Sequence, residues 1–176
     1  MKRLILIGGA MGVGKSTTSA ALLHLLPEAV FLDGDWCWQM DPFRVTEPRK
    51  EMVLDNISHL LNNFLRDDGY ENILFCWVMD HQEILDQLLG RLDLRGAKVW
   101  NFSLICRPET LRRHLEKDIA AGLRQPEILP RAAARLPLYG PLRTEKISVD
   151  DLTPTQVADL IAAQVITAEQ KGDFGC

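Results

Sequence analysis

The run Gly9-Ala10-Met11-Gly12-Val13-Gly14-Lys15-Ser16 follows the unbroken apolar stretch Leu4 to Ile7. It matches the pattern G-x-x-x-x-G-K-[ST] at every fixed position. The chemistry of anion binding demands these residue types. Glycines at 9, 12 and 14 let the backbone curl so that successive N–H groups, including that of Val13, converge on phosphate oxygens. A helix that starts at the end of the loop sets its positive terminus against the same anion. Lys15 is expected to reach the β- and γ-phosphates of a nucleotide, Ser16 to hold Mg²⁺, and Thr17 to donate to the α-phosphate. The cofactors this loop implies are ATP and Mg²⁺. No Asn-Lys-x-Asp stretch follows, so the element that reads guanine is missing.

The rest of the chain alternates apolar runs with amphipathic patterns. Leu4 to Ile7, Ala29 to Asp33, Ile73 to Met79, Val99 to Cys106 and Lys146 to Val149 read as strands. The first does not alternate, as expected of a strand buried on both faces. Helical spacing appears from the loop to Leu26, from Met52 to Leu65, from Ile84 to Leu89, after Pro108, and after Thr153-Pro154. Periodicity fades between Gly122 and Arg143, and residues 171–176 are expected to fray. This order predicts a single α/β domain over residues 1–170, a mainly parallel sheet with helices on both faces. Ligands of such sheets bind beyond the carboxyl ends of the strands. The phosphate loop, Asp33, Asp80 and Arg107 all fall there.

Composition narrows the partners. The 176 residues carry a net charge of −4, which argues against a nucleic-acid backbone as partner. No run reaches the length of a membrane span, and the apolar stretch near the N-terminus is too short for a signal peptide. Cys37, Cys76, Cys106 and Cys176 form no C-x-x-C pair and read as thiols of a reducing compartment, so the cytoplasm is the expected address. A monomer or homodimer acting on a small molecule is the expected form.

Leu32-Asp33-Gly34-Asp35 places two carboxylates at the end of the second strand. With the phosphate loop, this acidic turn resembles the small-molecule kinase branch of the P-loop nucleoside-monophosphate-kinase-like superfamily. Shikimate, gluconate and adenylylsulfate kinases and chloramphenicol phosphotransferase belong to it. The resemblance implies a three-layer sandwich with a five-stranded parallel sheet and a mobile lid at about residues 117–135. It makes Asp35 the base on the acceptor side and Asp33 the helper of Mg²⁺. A lid cation for the transferring phosphoryl group is sought in the basic run Arg107, Arg112, Arg113, Lys117 and Arg124, with Arg113 and Arg124 preferred. Relatives carry a Gly-rich turn after the third strand, where this chain has Cys76-Trp77-Val78-Met79-Asp80-His81.

Other residues keep two readings at this stage. Asp80 is a carboxylate acting on Mg²⁺ through water or the cap of the helix begun by Gln82. His81 touches an acceptor or is an exposed residue at a helix start. Trp38 is expected to pack, Trp36 is left open between packing and an acceptor wall, and Arg44 is expected to be solvated. The expected activity is transfer of the γ-phosphate of ATP to the hydroxyl of a small molecule. A nucleoside monophosphate kinase is one alternative. A nucleotide-binding resistance or regulatory protein with little turnover, of the tunicamycin-resistance kind, is the other.

Overall fold

A computed structural model describes residues 1–170, and the tail expected to fray, residues 171–176, lies outside the described residues. Five parallel strands form one sheet. They are β1 (Arg3–Gly9), β2 (Ala29–Asp33), β3 (Asn72–Cys76), β4 (Lys98–Ile105) and β5 (Glu145–Ser148), in the order β2-β3-β1-β4-β5. Helices α1 (Lys15–Leu25), α2 (Glu47–Arg66), α3 (Gln82–Gly90), α4 (Pro108–Ala120), α5 (Ile128–Arg135) and α6 (Pro154–Gln170) cover it. No helix among the described residues is long and apolar enough to cross a membrane.

The missing alternation of β1 has its explanation here. Ile5 and Ile7 pack with Leu22 of α1, Leu115 of α4 and Ile161 of α6, while Leu4 and Leu6 pack with Ile57 of α2 and Leu88 of α3. With partners on both faces, both sets of side chains must be apolar. β1 is also paired on both edges, Ile7 standing opposite Cys76 of β3 and Phe102 of β4. The chain leaves β1 for β2 on one side and later crosses to β4 on the other. The loop at the carboxyl end of β1 therefore opens into the crevice where such sheets bind ligands.

Besides shifts of one or two residues at the ends of β1, β4 and β5, three elements differ from the sequence reading. β3 ends at Cys76 instead of Met79. The Trp77 N–H still donates to Ile7 O at 3.3 Å, but β1 turns into the phosphate loop after Gly9, and the ladder loses its partner there. α2 begins at Glu47, ahead of its first apolar residue, because Thr46 in extended conformation and Pro48 in the first turn start it. α5 forms in the stretch where periodicity faded. Its Ala132 is fully buried and joins Leu111 and Leu115 of α4 in the core, so the second half of the expected lid is packed down in this conformation.

A carboxylate at the end of β5 ties two elements together. Asp150 accepts the Arg107 backbone N–H at 2.8 Å and the Ser148 hydroxyl at 3.0 Å, and the Arg107 guanidinium lies beside it. Desolvation pulls its pKa upward, yet the Arg107 N–H, the Thr110 and Ser148 hydroxyls and the Arg107 side chain hold it at about 2. A depressed native pKa means stability that is present above the unfolded value and lost as pH falls through the native one. Wild-type protein should therefore lose stability progressively from near pH 4 to pH 2. Asp150→Asn should be less stable at pH 7 and flatter over that acid window, as read by thermal melts across pH. Equal slopes for both proteins would refute the tie.

Candidate active site

The phosphate loop is shaped by contacts that glycine alone allows. Gly12 has a φ of 83°, and a Cβ built on it would lie 2.4 Å from Leu115 Cδ2. Leu115 is fully buried, so it has nowhere to retreat. Gly12→Ala is expected to cost about 1–3 kcal/mol in strain and overpacking and to weaken nucleotide binding. Denaturant unfolding and nucleotide titration read the two effects. Wild-type values in both would show that the loop tolerates the side chain.

Lys15, the first residue of α1, is buried, and its Nζ donates to Ala10 O at 3.0 Å. The ammonium is thus folded back across the loop. Burial lowers its pKa, with Asp35 and Asp33 among the groups opposing the shift. Ser16 donates its hydroxyl to Asp33 Oδ2 at 2.5 Å, and the other Asp33 oxygen accepts the Asp35 N–H at 3.0 Å. Asp33 is buried at the end of β2 and so bridges the loop to the acidic turn, the short helical segment Gly34–Trp38. Cys76 also approaches the Ser16 hydroxyl, its Sγ 3.8 Å away, and burial pushes its thiol to about 12, which keeps it protonated.

A cavity of about 500 Å³ opens over the loop. Gly12, Val13, Gly14, Lys15, Ser16 and Thr17 line it, while Gly9 stands outside the lining. Asp35 faces the cavity from the short helical segment after β2, and Lys117 and Arg124 face it from α4 and the segment after it. The Asp35 carboxyl is open to solvent there, but nearby protein raises its pKa, first by desolvation and then through the charge of Asp33. Lys15 and Arg124 oppose the shift. Val149, Leu152, Pro154 and Val157 make an apolar end wall.

Several expected residues stand elsewhere. Arg113 lies on the exposed face of α4 and does not line the cavity. Arg107 is engaged with Asp150 and Asp151. Asp80, read as a carboxylate for Mg²⁺ or a helix cap, is buried outside the lining and paired with Arg135 of α5 and with His81. That pairing occupies both of its oxygens and leaves it poorly placed for a metal. Trp38 packs on Phe43, and Trp36 is exposed with its ring edge-on to Phe31. The carbonyl of Arg44 accepts from Arg49. Conversely, the sequence reading did not single out Trp77, His114 or Arg135. His114 Nδ1 lies 3.3 Å from Gly12 O, which requires the proton on Nδ1. Helical spacing from Leu111 and Leu115 places His114 on a flank of the buried face of α4, but it does not say what lies opposite.

The residues present fit a nucleotide and a magnesium ion. A hard-oxygen pair, the Ser16 hydroxyl and the Asp33 carboxylate, adjoins the phosphate loop. Mg²⁺ prefers few protein oxygens completed by phosphates and water. No group of three or more His, Cys, Asp and Glu residues that could hold a metal occurs among the described residues.

A family model described as an AAA domain matches residues 5–128. The chain belongs to this AAA domain family. Its fold is that of the kinase-like P-loop NTPases. The tunicamycin resistance protein of Deinococcus radiodurans superposes with a TM-score of 0.68 at 23% identity, over 94% of this chain and 96% of that one. A gluconokinase from Sinorhizobium meliloti 1021 gives 0.68 at 16% identity, over 98% and 97%. The APS kinase of Mycobacterium tuberculosis, in complex with AMPPNP and APS, gives 0.62 at 14% identity, over 93% and 97%. No curated protein matches the sequence. At these identities the structural likeness shows the fold alone, and it extends along nearly the whole of each chain.

Proposed function

We propose that this family member is an ATP-dependent phosphotransferase that moves the γ-phosphate of ATP to the hydroxyl of a small molecule. The observation that carries the reading is Asp35, a carboxylate of raised pKa opening into the cavity floored by the phosphate loop. A protein that merely stored a nucleotide would have no use for a base at that place. The apolar wall of Val149, Leu152, Pro154 and Val157 suits a base, and the loop amides suit the phosphates. Bound Mg²⁺ would supply charge neutralisation between the phosphates, held by Ser16 and Asp33.

In this reading the chain's own groups divide the work. Lys15 releases Ala10 O and turns its ammonium to the phosphate oxygens, gaining an anionic partner for a charge that is costly to bury. Asp35 accepts the proton of the acceptor hydroxyl as its oxygen bonds to the γ-phosphorus, and ADP departs with the electrons of the broken bond. Arg124 faces the same cavity and balances charge on the phosphoryl group in flight. Its pairing with Asp118 at 3.0 Å holds it ready at the cavity wall.

The structural neighbours guide the choice of acceptor panel. Gluconate, adenylylsulfate and tunicamycin follow from their names, and simple alcohols, sugars and nucleoside monophosphates complete the set. The test is ADP release with Mg·ATP and each compound. Acceleration by one hydroxyl compound, with formation of its phosphate ester, supports the reading. Tight ATP binding with no acceleration by any compound and no hydrolysis would favour a nucleotide-binding regulatory protein instead.

A further inference from the structure

We infer that His114 is a positioning residue of the phosphate loop: its Nδ1–H holds the Gly12 carbonyl toward α4 and so keeps the Val13 N–H turned to the inside of the loop. This rests on the reading of the loop as a nucleotide site. His114 itself is half-buried on α4 and lines the cavity.

Glycine makes this peptide unit the soft point of the loop. Gly12 sits at a φ of 83°, and a residue without a Cβ enters the left-handed and right-handed regions about equally readily. The unit between Gly12 and Val13 can therefore turn over at little cost. It is trans, so its C=O and N–H point in opposite directions. Turning it over would send the Val13 N–H away and set a carbonyl oxygen against the phosphates. In the structure, Val13 N–H donates to Ala10 O at 3.2 Å, the same oxygen that accepts from Lys15 Nζ at 3.0 Å. The amide thus lies on the lysine's side of the loop, where a phosphate oxygen can take the place of Ala10 O.

Helix α4 supplies the restraint. It lies so close to Gly12 that a Cβ there would fall 3.7 Å from Leu111 Cδ1 and 2.4 Å from Leu115 Cδ2. His114 is the helical neighbour of both leucines, and its Nδ1 lies 3.3 Å from Gly12 O. A carbonyl can only accept, so Nδ1 donates. The approach of the helix leaves room for a donor at the δ position of a short side chain. The next turn of α4 brings Lys117 and Asp118 to the cavity. One rigid element therefore lines the cavity and fixes the direction of a loop amide, which needs no reorganisation when the phosphates arrive.

The test compares wild type, His114→Leu, His114→Asn and His114→Gln in the full chain. Leucine keeps apolar bulk and a good helix former and removes the donor. Asparagine carries an N–H at the δ position, as the imidazole does, while glutamine carries it one bond further out. Titration with Mg·ADP should give a Kd about three- to tenfold higher for His114→Leu and His114→Gln, the scale of one lost hydrogen bond. His114→Asn should recover most of that loss, and His114→Gln serves if His114→Leu does not fold. A second readout needs no nucleotide. Gly12-Val13 is the only Gly-Val step in the sequence, so protein labelled with ¹³C at glycine carbonyls and ¹⁵N at valine gives a single carbonyl-to-amide cross-peak for this peptide unit. Its carbonyl shift should move in His114→Leu and return toward the wild-type position in His114→Asn. In ¹⁵N-histidine-labelled wild type, the ring signals missing from the variants should show the proton on Nδ1. Wild-type affinity in His114→Leu, an Asn variant as weak as the Leu one, a carbonyl peak indifferent to His114→Leu, or a bare Nδ1 would each overturn the inference. A wild type that binds no Mg·ADP is a different result. It would remove the nucleotide reading itself, and with it the purpose of the lock, whatever the cross-peak does.

Discussion

Lys15→Met should lower turnover by about 10² to 10³-fold, the scale seen when one preorganised electrostatic contact to a developing charge is lost, and should weaken ATP binding in parallel. The nucleotide-free protein should melt at or above the wild-type temperature. The sign follows from burial. The native pKa of Lys15 is lowered, first by burial, so the fold disfavours the charged form of the amine, whose hydrogen-bond partner is the Ala10 carbonyl. Between the lowered native value and the unfolded one, the unfolded chain binds more protons, and wild-type stability rises with pH across that window. Methionine fills similar space without charge and should flatten the rise. Isothermal titration with ATP, steady-state rates and melts against pH read the three effects. Normal ATP affinity in Lys15→Met would refute the nucleotide site. A large loss of stability would show instead that Lys15 is part of the scaffold.

Asp35→Asn should separate chemistry from binding. General-base help to a hydroxyl is typically worth about 10² to 10⁴ in rate, and the turnover of an identified acceptor should fall on that scale. ATP affinity should hold within a few fold, because the loop amides, Lys15 and Ser16 are untouched. The amide preserves the shape of the side chain and removes its proton-accepting charge. It also relieves repulsion from Asp33, one of the causes that raise the pKa of Asp35, so the variant should be no less stable than wild type. Asp33→Asn should differ. It disturbs the 2.5 Å contact with Ser16 and should first raise the Mg²⁺ concentration needed for half-maximal rate. If instead Asp35→Asn loses ATP binding as steeply as rate, the two carboxylates have the opposite roles.

The phosphate loop, the strands and most helices were legible in the sequence because their signals are local. Apolar runs bounded by Gly and Pro mark strands, and one face of spaced apolar residues marks a helix. The Asp33 and Asp35 pair was legible for the same reason, lying two residues apart on a single turn. The basic run misled at Arg113, since residues at adjacent positions of a helix face different directions and spacing alone does not say which face meets the cavity. α5 was hidden because a short helix with one fully buried residue, Ala132, leaves almost no periodic trace.

By itself, then, the sequence determined the architecture and the pattern of its most local site: a strand, a glycine loop, a lysine and a helix start in the order that phosphate-binding loops use. The tertiary structure decided which distant groups face that loop. Asp80 went to Arg135 of α5, while His114 and Arg124 came to line the cavity over the loop and Trp77 came to pack on Gly34. The reason is that contacts between elements depend on strand order and helix rotation, which arise when many weak apolar contacts pack at once. No single residue or spacing along the chain encodes them.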